Sequence, residues 1–245
     1  MQPKSNMIEE AVRIVDAASE NSITLRIMGG LGTRLHCEVI DFCKRDYSDI
    51  DMVGLSNQSQ KIVTLFKELG YQPDKRFNAL HGHKRLKFEE HTNNRHIDVF
   101  LDHFDMDHDW DLSNRLHLEE YTLPVSDLLL MKVQICKINE KDIQDIMTML
   151  KDSQIGEKEA SHTINVNYIA EKCSEDWGLY ESVLENLDTV HTMIDNYELT
   201  DKEKTLIKNR LEKLTTALVT HKKTAKWRLR SAVGKHIQWC QPVEE

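Results

Sequence analysis

The chain has 245 residues, of which 40% are hydrophobic and 30% charged, and its formal net charge is −9 at pH 7. This balance is typical of a folded globular protein and excludes an intrinsically disordered one. No run reaches the roughly 18 apolar residues that a membrane span requires, and residues 1–22 contain Glu9, Glu10 and Asp16 where a secretory signal would be apolar. We therefore expect a cytoplasmic protein without membrane contact.

In chain order, apolar periodicity predicts alternating helices and strands up to about residue 101. A short strand over 23–28 runs directly into Gly29-Gly30, and Gly70 is suited to end a helix. The predicted helices cover residues 7–18, 31–43 and 56–69. The predicted strands cover residues 23–28, 49–53, 71–77, 84–90 and 95–101.

Beyond an acidic loop over residues 101–111, the pattern becomes helical. One apolar helix is predicted over 124–136 with Ser126 as its N-cap, and another from Asn139 to about residue 150. Residues 152–161 read as a linker, and everything after it reads as helix. Thr200 and Glu203 form a predicted capping box, followed by a face of inward leucines that includes Leu206.

These elements predict a mixed α/β (α+β) fold, with a mixed β-sheet flanked by helices over residues 1–152 and a helical domain over residues 153–245. The cysteines, Cys37, Cys43, Cys136, Cys173 and Cys240, are odd in number and show no Cys-x-x-Cys spacing. That argues against a disulfide framework and a zinc ribbon. We expect reduced, mostly buried thiols.

The stretch "DYSDIDMVG" contains two aspartates that the sequence places on one strand. In a strand, side chains alternate between faces at a rise of about 3.3 Å, so Asp49 and Asp51 share a face about 6.6 Å apart at their backbones. Two like charges held this close are unfavourable unless a positive charge lies between them. The spacing therefore predicts a bound cation, although a solvated strand edge would look the same.

Two further features accompany this strand. Gly29-Gly30 follows a strand and precedes a helix, where backbone N–H groups can approach a phosphate. Asp98 lies within the apolar run from Ile97 to Phe100, and strand alternation predicts that it points away from its neighbours Ile97 and Val99, towards the side of His96.

Together, the glycine turn, the Asp-x-Asp strand and the third aspartate resemble the nucleotidyltransferase superfamily of the DNA polymerase β type. The likeness covers about residues 22–150, and it is greater to the small branches that include aminoglycoside nucleotidyltransferases and abortive-infection toxins. Two departures are visible: Gly-Gly stands where the family commonly has Gly-Ser, and 18 residues separate Gly30 from Asp49.

The resemblance implies a set of site residues. Asp49, Asp51 and Asp98 would converge to hold two Mg²⁺ ions, or Mn²⁺ in their place, which carry a nucleoside triphosphate such as ATP; Asp98 would also act as general base. Lys132 would contact the triphosphate, or else extend from a buried helix to solvent. The residues implied in nucleotide binding are Gly29, Gly30, Arg34, Ser48 and Lys132.

The implied activity is transfer of a nucleoside monophosphate to an acceptor hydroxyl or phosphate, with release of pyrophosphate. A tRNA end, a protein side chain and a small molecule all remain open as acceptors. The alternative is a non-catalytic nucleotide-binding or antitoxin-like module on the same fold. The carboxylate trio favours the enzyme, whereas the long interval between Gly30 and Asp49 favours the module.

The end of the chain is basic, with six Lys or Arg and no Asp or Glu between Lys222 and Lys235. Trp227 and Trp239 lie in and just beyond this segment. Cations interleaved with aromatic rings suit RNA, through phosphate contacts and base stacking. The alternative, which we favour slightly, is that the tryptophans pack this tail onto the acidic body of the protein.

Overall fold

The computed structural model describes residues 3–38, 42–43 and 45–240. Contacts divide the chain into two compact units. The first unit comprises Met1–Leu35, Arg45–Asp105 and Asp109–Leu123, and the second comprises His36–Lys44, Met106–His108 and Pro124–Glu245. By this division the chain leaves the first unit for the last time between Leu123 and Pro124. The assignment of a catalytic domain to residues 1–152 and a helical domain to residues 153–245 stays a prediction.

The first unit is a mixed β-sheet with helices, as the sequence predicts. Its helices are α1 (Met7–Glu20), α2 (Gly29–Leu35), α3 (Ser59–Glu68) and α4 (Lys75–His81). Its strands are β1 (Leu25–Ile27), β2 (Asp49–Gly54), β3 (Gln72–Pro73), β4 (Arg85–Glu90), β5 (Arg95–Leu101), β6 (His103–Asp105) and β7 (Asp109–Asp111).

Five of these strands form the main sheet in the order β1-β2-β5-β4-β3, in which only β2 and β5 run parallel. The face that carries Ile50, Met52 and Ile97 belongs to a core shared with α1 and α3. Because side chains alternate along a strand, the residues between these apolar positions lie on the opposite face. That opposite face carries the predicted site.

Two predicted elements of this unit are wrong in part. The helix expected over 31–43 ends at Leu35, and His36 to Glu38 are not helical; residues 39–41 lie outside the described part. The strand expected over 71–77 is cut to two residues because Asp74 caps α4, where its side chain accepts a hydrogen bond from the Phe77 N–H at 2.9 Å. The acidic loop over 101–111 contains the β6–β7 hairpin.

The second unit is mainly helical, with one short parallel strand pair that the sequence did not predict. Its helices are α5 (Val125–Val133), α6 (Glu140–Asp152), α7 (Val166–Glu175), α8 (Trp177–Met193), α9 (Asp201–Thr220) and α10 (Ala225–Val233). Its strands are β8 (Gln154–Gly156) and β9 (Thr163–Asn165), which lie in and just after the expected linker. No helix in the described part of the chain has the length and apolarity to cross a membrane.

The capping predictions in this unit are mostly confirmed. Asn139 and Thr200 each form a capping box, at the start of α6 and α9 respectively. Ser126 is not an N-cap: it lies inside α5 and is buried, and Pro124 precedes the helix. Leu206 is 36% exposed, so it does not belong to the inward face of α9.

The expectation of reduced thiols is wrong for four of the five cysteines. Cys37 is bonded to Cys43, and Cys136 to Cys240, with Cα–Cα distances of 6.6 and 6.2 Å. Those separations lie in the range that a disulfide spans. Cys173 alone among the described cysteines is a free, buried thiol. Counting cysteines could not reveal these pairs because folding creates their proximity.

The basic tail packs on α8, which is the alternative that the sequence slightly favours. The ring of Trp227 lies 5.2 Å from that of Tyr180, and the ring of Trp239 lies 6.4 Å from that of Trp177. Lys235 forms ion pairs with two glutamates of the same helix. RNA binding by this segment stays a prediction.

Candidate active site

The register between β2 and β5 brings the predicted carboxylates onto one face. Asp51 lies directly beside Asp98, and Asp49 lies directly beside His96. Aligned residues of neighbouring strands point to the same side of a sheet, so all three aspartates share the face opposite the core. The expectation that Asp98 points away from Ile97 and Val99, to the side of His96, is therefore confirmed. Alternation along one strand shows which of its own residues share a face. It does not show which residues of another strand lie on that same face, and here the register supplies that information.

The Gly-Gly turn packs against this carboxylate face. Gly29 has a φ of +61°, and a β-carbon on it would lie 2.7 Å from Asp51 Oδ2. Residue 29 must therefore be glycine on two grounds, the left-handed backbone and the close approach of a carboxylate. The Met28 N–H donates to the Asp51 carbonyl at 2.9 Å, which ties the turn to β2.

A cation that sequence reasoning missed lies beside the second glycine. A β-carbon on Gly30 would collide with the guanidinium of Arg45, and that guanidinium lies over the ring of Tyr47 at 4.8 Å. Arg45 stands four residues before Asp49 in the sequence, but no spacing rule connects it with a glycine turn 15 residues earlier. Only the folded structure brings these groups together.

Asp98 is held by two cations of β4, which sequence reasoning also missed. The Arg85 Nε donates to Asp98 Oδ1 at 3.0 Å, and its Nη2 lies 2.8 Å from Oδ2. Lys87 Nζ lies further away, at 3.8 Å from Oδ1. The alternation of "RLKFEE" does place Arg85 and Lys87 on one face of β4, but the antiparallel register that sets them beside Asp98 is not visible in the sequence.

The remaining predicted residues of the first unit lie close to these groups along the chain. Ser48 Oγ donates to Asp49 Oδ2 at 2.8 Å, so the serine orients the first carboxylate. Arg34 lies in the last turn of α2 and is half-buried. Its role in nucleotide binding stays a prediction.

The donor set suits magnesium, but the three carboxylates do not converge in this conformation. Across residues 3–38, 42–43 and 45–240, no three His, Cys, Asp or Glu side chains lie close enough to hold one metal ion. Carboxylate oxygens are the ligands that Mg²⁺ prefers. The volume that a side chain at Gly29 would fill lies directly against Asp51 Oδ2. The residues fit the ion chemically, and both oxygens of Asp98 are meanwhile engaged by Arg85.

Lys132, the predicted triphosphate contact, belongs to the second unit and is paired there. Its Nζ lies 2.8 Å from Asp142 Oδ1 and 3.0 Å from Asp145 Oδ2. Although burial lowers it, the pKa of the Lys132 ammonium is raised overall by Asp145 and Asp142. The lysine thus joins α5 to α6, and a phosphate would have to compete with two carboxylates for it.

Comparisons with known proteins found similarity among solved structures only at low sequence identity. No protein-family model and no curated protein sequence matches the chain. The chain is similar to the lincomycin-bound lincosamide antibiotic adenylyltransferase LnuA, with a TM-score of 0.41 and 16% identity over 56% of this chain and 91% of that one. It is also similar to the antibiotic-resistance factor ANT(2'')-Ia, with a TM-score of 0.36 and 12% identity over 55% of this chain and 77% of that one.

A third similarity extends over nearly the whole chain. An antigenic nucleotidyltransferase-like protein from Paracoccidioides brasiliensis gives a TM-score of 0.43 and 14% identity, over 95% of this chain and 98% of that one. The likeness thus includes an adenylyltransferase and a nucleotidyltransferase-like protein. Identities below 25% with TM-scores below 0.5 carry no argument about activity.

Proposed function

We propose that the chain is a metal-dependent nucleotidyltransferase that transfers a nucleoside monophosphate from a nucleoside triphosphate to an acceptor hydroxyl or phosphate. The observation that carries this proposal is the position of Asp51 beside Asp98, with Asp49 on the same face and Gly29 packed against Asp51. Three carboxylates on a partly exposed face are costly to keep together unless cations neutralise them. A nucleoside triphosphate with bound metal ions would supply such cations to this face.

The chain's own residues would divide the work as follows. Asp49, Asp51 and Asp98 would hold Mg²⁺ or Mn²⁺, which when bound neutralises charge on the attacking and leaving oxygens. Asp98 would accept the proton from an acceptor hydroxyl. The acceptor oxygen bonds to the α-phosphorus, the bond from that phosphorus to the β-phosphate oxygen breaks, and pyrophosphate leaves. Ser48 would keep Asp49 oriented through its hydrogen bond.

Nucleotide binding would use the glycine turn and several cationic side chains. Gly29 and Gly30 let the backbone approach phosphate oxygens because neither carries a side chain. Arg34 and Lys132 are the proposed triphosphate contacts of the sequence motifs, and Arg45 adds a guanidinium beside Gly30. The acceptor stays open among a tRNA end, a protein side chain and a small molecule.

A second candidate, a nucleotide-binding or antitoxin-like module without catalysis, is favoured by one observation. Both oxygens of Asp98 are taken by Arg85, so the third carboxylate has a protein partner in the conformation described. A module that only binds nucleotide would have no need to release Asp98. Turnover of labelled nucleotide distinguishes the two functions.

The test is a screen of the four α-³²P-labelled nucleoside triphosphates with Mg²⁺ or Mn²⁺ and, in turn, total tRNA, proteins and hydroxyl-bearing small molecules. We expect a labelled acceptor and released pyrophosphate. The variant Asp49→Asn plus Asp51→Asn should abolish both, along with any rise in melting temperature that metal and nucleotide cause together. Its melting temperature without ligand should not fall, because removing two like charges relieves repulsion.

Glu89→Gln is the matched control, because it removes a half-exposed carboxylate of β4 that lies on the same face beside His96. It should keep both the labelling and the thermal response. If the melting temperature of the double aspartate variant still rises with metal and nucleotide, the nucleotide site lies elsewhere in the protein. A thermal response in the wild type without any labelled product would favour the binding module.

A further inference from the structure

We propose that Arg85 is a positioning residue that occupies Asp98 until the phosphates of a nucleotide draw its guanidinium away, so that metal and triphosphate binding are coupled through one side chain. This inference rests on the proposed function. It concerns what Arg85 does for the site, since the sequence motifs assign it no role.

The geometry of the pair is that of a specific contact. Two nitrogens of the Arg85 guanidinium meet the two oxygens of Asp98, at 3.0 and 2.8 Å. The guanidinium also lies over the ring of Phe100, 4.5 Å from its centroid, which supports it from the sheet. The Asp98 side chain is only 14% exposed, so little water competes for its oxygens. The planar guanidinium can donate two parallel hydrogen bonds to a carboxylate, and it can donate them equally well to a phosphate.

Lys87 can partly neutralise Asp98 when Arg85 leaves it for a phosphate. Its ammonium lies 3.8 Å from Asp98 Oδ1 and 4.7 Å from the centre of the Phe77 ring, so it keeps a positive charge near the carboxylate when Arg85 moves. Before a nucleotide arrives, Arg85 blocks the lone pairs that a divalent cation needs and repels that cation. Once phosphate oxygens bind the guanidinium, Asp98 becomes available as a metal ligand.

If Arg85 couples the two ligands in this way, its removal should change the affinities for the cation and for triphosphate in opposite directions. Removing the Arg85 charge should strengthen the binding of a divalent cation alone, because Asp98 is released. It should weaken the binding of triphosphate alone, because a phosphate contact is lost. A purely structural arginine would weaken both or change neither. Reciprocity of coupling free energies requires that, in the wild type, triphosphate raise the affinity for the cation by the same factor as the cation raises the affinity for triphosphate.

The experiment titrates the full-length chain with Mn²⁺ alone, followed by electron paramagnetic resonance of free Mn²⁺. A second titration uses a fluorescent nucleoside triphosphate in EDTA. In Arg85→Gln we expect Mn²⁺ affinity to rise about tenfold and metal-free triphosphate affinity to fall about tenfold, within the range of ordinary coupling factors. Arg85→Lys keeps the charge without the fork, so it should retain triphosphate binding and give an intermediate Mn²⁺ affinity.

Lys84→Gln is the matched control. It removes one positive charge from the adjacent residue, whose amine pairs with Asp105 instead of Asp98. Both affinities should stay within about twofold of the wild type, because exposed ion pairs contribute little. If Arg85→Gln does not fold, Arg85→Lys decides: an unchanged Mn²⁺ affinity in that variant overturns the inference.

A further variant separates this inference from the proposed function. Asp49→Asn plus Asp51→Asn, added to Arg85→Gln, should abolish the Mn²⁺ binding. If Mn²⁺ binding depends on these aspartates but Arg85→Gln does not strengthen it, the inference fails and the proposed site stands. If Mn²⁺ binding is unchanged when Asp49 and Asp51 are replaced, the proposed function fails, and the inference fails with it.

Discussion

Replacing Lys132 by methionine should lower the free energy of unfolding by about 3–5 kcal/mol, the cost of breaking a buried ion pair from one side. The Lys132 Nζ lies 2.8 Å from Asp142 and 3.0 Å from Asp145, and the three side chains are 14%, 7% and 4% exposed. Water cannot easily replace the ammonium at so buried a position. Methionine keeps an unbranched apolar side chain, so the loss comes from uncompensated carboxylates and not from a large cavity.

The pH dependence of this loss has a definite sign. Burial lowers the pKa of the Lys132 ammonium, but Asp145 and Asp142 raise it more, so it lies above the ordinary value. A raised folded-state pKa contributes stability that is fully present below the unfolded value, near pH 10.4, and is lost as the pH rises through the folded value. The difference between wild type and Lys132→Met should therefore be constant from about pH 6 to 9.

Urea unfolding at 25 °C, followed by circular dichroism, measures this difference. Lys137→Met is the matched control, because Lys137 is exposed between α5 and α6, and it should cost less than about 0.5 kcal/mol. Adding Asp142→Asn and Asp145→Asn to Lys132→Met should recover part of the loss. If Lys132→Met unfolds within about 1 kcal/mol of wild type but binds triphosphate weakly, Lys132 is a phosphate ligand and the stabilising role is refuted.

Three more outcomes are expected. Gly234→Ala should cost about 1–3 kcal/mol because its backbone has a positive φ that favours glycine, whereas Gly29→Ala should add about 1–3 kcal/mol because its β-carbon meets Asp51; equal losses on urea unfolding would contradict that contact. Deleting residues 222–245 should lower stability by about 2–5 kcal/mol, largely through the lost disulfide, and an unchanged melting temperature would show that the tail is not packed. Thiol titration of the denatured chain should find one reactive thiol, Cys173, before reduction and five after reduction. Five reactive thiols before reduction would show that the two disulfides are absent.

Local signals explain why much of the fold was predictable. Helix α1 and strand β5 follow from apolar periodicity, and the capping boxes at Asn139 and Thr200 are recognisable from residues three apart. The mixed sheet with helices follows from the order of such elements. Where two local signals competed, prediction failed: Asp74 caps a helix within a segment whose composition also suits a strand.

Properties that join distant segments were not predictable from one sequence. The pairing of Cys136 with Cys240 closes an interval of 104 residues, and no cysteine count contains that information. The parallel pair of β8 and β9 arises from two three-residue strands, too short for periodicity to detect. In each case, folding brings together segments that carry no mutual signal along the chain.

The sequence by itself predicted Asp49, Asp51 and Asp98 as the candidate carboxylates, and it determined that Asp49 and Asp51 share a face, because a strand alternates with a period of two residues. It also determined that a glycine turn precedes them. Only the tertiary structure decided that Asp98 lies beside Asp51, that Arg85 holds Asp98, and that Arg45 lies against Gly30. The first two relations depend on the hydrogen-bond register of β5 with β2 and with β4, and a shift of one residue would turn each side chain to the other face.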